Sequence, residues 1–180
     1  METYRLMSHS AHPPLMVSGI EARITGRDEN WLRFRWRIEG ASELIVPKFA
    51  GKGRADGLWQ ATCFELFLQP DGGEAYCEYN LSPSERWNAY DFTGRREGMT
   101  ERPMPHEPGC TIRLGSSFAI FDAAIPSGGL PVSGCAMGIT CVIEENGGRK
   151  SYWALEHPGA EPDFHDPACF TARLAAPTPA

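Results

Sequence analysis

The chain has 180 residues, 42% hydrophobic and 22% charged, which suits one globular domain with a single substantial core. A formal net charge of -6 argues against nucleic acid as the main partner, because phosphate binding needs a basic surface, and it is a poor charge for an anionic membrane. No apolar run approaches the ~20 residues that span a bilayer, and Gly 19 with Pro 15, falling between short apolar runs, favour strands and turns over long helices.

In chain order, residues 1–16 read as an irregular N-terminal segment closed by Pro13 and Pro14. Met1 to Ser10 carries one Arg and no apolar stretch of a secretory signal, so the expected location is the cytoplasm. A single domain is expected over 17–175, with 176–180 as a tail. Val17 to Ile24 reads as the first strand of that domain. Trp31 to Ile38 is the clearest one, because Leu32, Phe34, Trp36 and Ile38 alternate with Arg33, Arg35 and Arg37. A short apolar piece, Glu43 to Val46, ends at Pro47, and Ala50 to Gly57 is a Gly-rich charged loop.

Leu58 to Leu68 and Glu74 to Leu81 read as a hairpin around Gln69-Pro70-Asp71-Gly72-Gly73. In that turn Pro presets φ, Asp can close an Asx-turn, and Gly takes φ > 0. Trp87 to Phe92 follows as a strand or loop, then a long loop from Gly94 to Gly109 with three prolines. Further strands are expected at Thr111–Leu114, Phe118–Ile125, Ala136–Glu144, Lys150–Leu155 after the Asn146-Gly147 turn, and Cys169–Leu174. Many short strands at roughly 8–12-residue spacing predict an all-β, two-sheet antiparallel sandwich. Its expected core holds Phe34, Trp36, Phe64, Leu66, Tyr79, Leu81, Ile139 and Cys141.

Centring the hairpin at Asp71 and Gly72 sets Glu65 opposite Glu78, Phe67 opposite Tyr76 and Cys63 opposite Asn80 on one face. Opposed carboxylates need compensation. The Arg33, Arg35, Arg37 stripe, a ligand's hydroxyls, or a raised pKa in a catalytic pair are the three readings. The six cysteines are scattered singly with no CxxC, which fits free buried thiols and no metal site. Five tryptophans are many for this length. Trp36 is in phase with the core. Trp59, Trp87 and Trp153 lie at strand ends, where an indole either plugs the sandwich or stacks on a ligand. No nucleophile elbow or Gly-rich phosphate loop is present.

Leu58-Trp59-Gln60, Phe64-Glu65-Leu66-Phe67-Leu68 and Tyr76-Cys77-Glu78-Tyr79-Asn80-Leu81-Ser82-Pro83 with Trp87 resemble the DOMON-like domains related to family 9 carbohydrate-binding modules. Tyr152-Trp153-Ala154-Leu155, His157-Pro158 and Pro162-Asp163-Phe164-His165 look like a cytoplasmic bacterial branch of that superfamily. The resemblance runs from about Val17 to Phe170. It implies a non-catalytic module for a sugar-like small molecule, gripped by Trp59, Glu65, Arg86 and Trp153. Tyr76, Glu78, Asn80, Trp87 and His157 form a looser second set. Lys150 stands where the sugar-binding branch has an amide. In the haem b branch the axial ligands are a Met with a His or Lys, for which Met99, His157 and His165 are the candidates here. A glycoside-processing enzyme using Glu65 and Glu78 is the remaining alternative.

Overall fold

Alternation dictates the strands. In the computed structural model, which describes residues 2–177, Leu32, Phe34, Trp36 and Ile38 are buried and Arg33, Arg35 and Arg37 stand half-exposed on the other face. Fourteen strands form in chain order: β1 (Thr3–Ser8), β2 (Gly19–Arg27), β3 (Trp31–Glu39), β4 (Leu44–Ile45), β5 (Gly53–Arg54), β6 (Cys63–Pro70) and β7 (Tyr76–Leu81), then β8 (Arg86–Phe92), β9 (Thr100–Glu101), β10 (Gly109–Leu114), β11 (Phe118–Pro126), β12 (Cys135–Glu145), β13 (Arg149–Ala154) and β14 (Ala172–Leu174). Among the described residues there is no α-helix, and hence none long and apolar enough to cross a membrane.

The first sheet runs β1-β2-β3-β11-β10 and the second β13-β12-β6-β7-β8, with β4 and β14 against β12 and β5 and β9 against β8. Every pairing is antiparallel except that of β5 with β8. The sheets pack face to face over one core, in which all eight expected residues are buried. Phe64 stacks on Phe121 at 4.0 Å between ring centres. The molecule is an all-β, two-sheet antiparallel sandwich.

Three local expectations change, and a fourth falls largely outside the described residues. Residues 1–16 are not irregular throughout: Thr3–Leu6 pair with β2 and Met7–Ser8 with β13, so β1 joins the two sheets. Of the expected tail 176–180, residues 178–180 lie outside the described residues, as does Met1. The β6–β7 turn centres one residue later, on Gly72-Gly73, so Glu65 pairs with Asn80 and Phe67 with Glu78. Gly72, at φ 91, accepts the left-handed conformation that this tighter reversal needs. The slip shifts partners by two, an even number, so no side chain changes face. Finally, the arginine stripe lies on the outer face of the other sheet, where Arg35 bonds Asp122 and Arg33 bonds Asp28. It cannot neutralise Glu65 and Glu78.

The second sheet is buried on both faces, which is why β7 exposes none of its six residues. Its outer face carries Phe67, Tyr76 and Phe92, covered by Phe164 and Phe170 from the segment that follows β13. Gly138 permits this: a Cβ there would lie 2.6 Å from the Phe170 ring.

Candidate functional site

A polar row crosses four strands of that buried outer face. Thr140 on β12 opposes Glu65 on β6, Glu65 opposes Asn80 on β7, and Asn80 opposes Asn88 on β8. Glu78, two residues along β7, opposes Tyr90. Relative exposures of 2% for Glu65, 5% for Glu78 and 3% for Asn80 make this a desolvated floor. Thr140 Oγ1 donates to Glu65 at 3.1 Å, while Asn80 Oδ1 has no partner.

Above the floor opens a cleft of about 970 Å³. One wall is the turn of Gly57 and Trp59, whose indole is 52% exposed. Asp56 beside it accepts from the Tyr90 hydroxyl and the Asn88 amide. The opposite wall is Tyr152 with Pro162, Phe164 and His165, and Met99 and Arg96 flank it. This wall is pinned from behind. Tyr76 stacks on Phe92 and its hydroxyl meets His165 Nδ1 at 2.7 Å, while Asp163 accepts from Arg95, Arg96 and the His165 amide.

Electrostatics follow from burial. Desolvation lifts Glu78 to about 7, partly offset by the Asn80 amide and Arg96. Desolvation, then the charge of Glu78, raises Glu65 well above the ordinary carboxylate range. His165 Nε2 sits 3.7 Å from Glu78, yet burial and then Arg96 lower His165 to about 4. At neutral pH its ring carries no charge.

The expected residues therefore divide. Trp59, Glu65, Glu78 and Asn80 line the cleft together, and Tyr76 braces its wall. Trp153 does not join Trp59: it points into the inter-sheet core at 4% exposure, its Nε1 on Ser151. Trp87 also faces the core, its indole under Arg54. Arg86 shares the outer face of β8 with Asn88, but at the strand's start, where it bonds the Ala50 carbonyl. His157 lies outside the cleft and bonds the Met7 carbonyl. Among the lining residues, Tyr152, Arg96, Asp56 and Thr140's partnership with Glu65 were not anticipated. Tyr152 alternates with Trp153 on β13, so the same two letters carried both options; the pairing of Val142 with Tyr152 puts the tyrosine outside.

Neither a protein-family profile nor a curated protein matches the sequence. Solved structures do match. A proposed carbohydrate-binding protein from Bacteroides uniformis superposes at a TM-score of 0.65 and 16% identity, over 94% of this chain and 84% of that one. A family 9 carbohydrate-binding module from Caldicellulosiruptor kristjanssonii, solved with cellotriose, superposes at a TM-score of 0.56 and 13% identity, over 97% and 84%. The fold is shared with family 9 carbohydrate-binding modules. At these identities the likeness is one of architecture, and it extends over nearly the whole chain.

Proposed function

We propose that the chain binds a sugar-like small molecule in this cleft and does no chemistry on it. One observation carries the reading: the half-exposed Trp59 indole stands at the mouth of a cleft whose floor is buried and polar. An indole face suits the C–H face of a pyranose, and ring hydroxyls both donate and accept toward groups such as Glu65 and Asn80. The volume suits a small ligand. Tyr152 and Phe164 provide the second aromatic wall that the family resemblance assigned to Trp153. The shared fold supports the same use, since its counterpart was solved with cellotriose.

Titration calorimetry with glucose, cellobiose and cellotriose tests this, alongside a chromogenic glycoside panel for turnover. Trp59→Ala is expected to weaken sugar binding by about tenfold or more, roughly 1.4 kcal/mol, with little change in melting temperature. Unchanged sugar affinity in Trp59→Ala would sink the reading. Glycoside release that Glu65→Gln abolishes would make the protein an enzyme.

Haem b has one observation in its favour, because Met99 and His165 line the same cleft. The donor set does not fit. Both ring nitrogens of His165 face partners, Tyr76 and Glu78, and two buried carboxylates would lie against an anionic porphyrin.

A further inference from the structure

We infer that the ligand of this cleft carries a protonated amine, seated on Glu65, Glu78 and Asn80. The inference rests on the cleft being the binding site and names the chemistry its floor selects. The three floor groups that line the cleft are acceptors with little to accept. Glu65 has Thr140, Glu78 has the Asn80 amide and an uncharged His165, and Asn80 Oδ1 has nothing. Glu65 and Asn80 are direct cross-strand partners, and Glu78 is the next residue on that face of β7. The three acceptors therefore form a triangle with edges of roughly 5–7 Å between side-chain roots, a span that side chains close around one atom. An ammonium has three donors and no acceptor, which suits three acceptors so sparsely served.

Charge gives the same answer. Asp56, Glu65, Glu78 and Glu161 line the cleft against one lining cation, Arg96, whose guanidinium is bonded to Asp163. Asp56 is already served by Tyr90 and Asn88, and Glu161 lies near His12 at the rim. Glu65 and Glu78 are left with no countercharge of their own, only the field of the guanidinium that Asp163 holds. A neutral sugar supplies none, and a buried carboxylate without one is costly. An ammonium supplies the charge and the donors together. Since burial holds Glu78 near 7, the empty pair retains a proton at neutral pH that a bound cation expels.

The test is calorimetry of the intact chain with glucosamine, glucose, N-acetylglucosamine and cyclohexylamine, repeated in buffers of different ionisation enthalpy. Glucosamine is expected to bind about tenfold or more tighter than glucose or N-acetylglucosamine. Its binding should release protons, and Glu78→Gln should abolish that release while His12→Gln, altering the other titratable ring at the rim, leaves it. The proton count is read on the unaltered protein, so it does not depend on any variant folding. Equal affinity for all three sugars would overturn the amine inference and leave the sugar reading standing. Cyclohexylamine binding without any sugar binding would uphold the amine seat and overturn the sugar reading. Failure of all four ligands to bind would overturn both.

Discussion

Glu65 and Glu78 resist ionisation because the sheet that positions them also removes their water. A raised folded-state pKa means the native state holds more protons than the unfolded chain, for Glu78 between about 4.5 and 7, and Glu65 shifts in the same direction. Stability from this source is full below that window and lost as pH rises through it. Glu65→Gln, which keeps an acceptor for Thr140 without the charge, should therefore raise the melting temperature at pH 8. The gain should correspond to roughly 1–3 kcal/mol and vanish near pH 4.5. His165 works in the opposite direction: its pKa is depressed to about 4, so its contribution is lost as pH falls below 6.5. Both proteins carry His165, so it cancels in the difference. A gain that is flat with pH would show that the carboxylate is not strained by burial. The two tryptophans make the complementary contrast. Trp153→Ala should cost about 3–5 kcal/mol in urea unfolding, as a buried ring does, while half-exposed Trp59→Ala should cost far less.

Among the elements, the connection from β1 into β2 depends on one side chain far away in sequence. Glu145, fully buried at the end of β12, accepts the backbone N–H groups of Leu15, Met16 and Val17 at 2.6, 2.7 and 2.9 Å. Charge-assisted bonds of this kind are strong, and an orphaned buried N–H is expensive. Glu145→Ala should lose about 3 kcal/mol or more, with Glu145→Gln recovering part of it, by chemical denaturation. In Glu145→Ala the amides of Leu15, Met16 and Val17 should lose protection in hydrogen exchange, because the carboxylate is their acceptor. By contrast, the β3 arginine pairs lie on a solvated face, and single substitutions there should cost little.

Over the whole molecule, burial decides the chemistry of sulfur as it does that of the carboxylates. All six cysteines are free and buried, and burial pushes Cys77 to about 11 and Cys110 and Cys169 to about 12. Thiolate is scarce and access is blocked. The native protein should therefore resist iodoacetamide, with all six thiols alkylated after denaturation under non-reducing conditions, as mass spectrometry would show.

Period-2 alternation is a local property, so strands such as Trp31–Glu39 and the partition of Phe64, Leu66, Tyr79 and Leu81 from Glu65, Glu78 and Asn80 were legible in the sequence. That partition survived the two-residue slip of the hairpin because parity, not register, assigns the face. Which face is covered, and by what, depends on contacts between residues far apart. Only the fold could show that Phe164 and Phe170 roof the outer face of the second sheet, that the arginine stripe belongs to the other sheet, and that β1 is a strand at all. The same holds for Trp153 and Tyr152. Adjacent residues on one strand must face opposite ways, but which of them meets the core is decided by β12 pairing alongside, and that placed the tyrosine in the cleft.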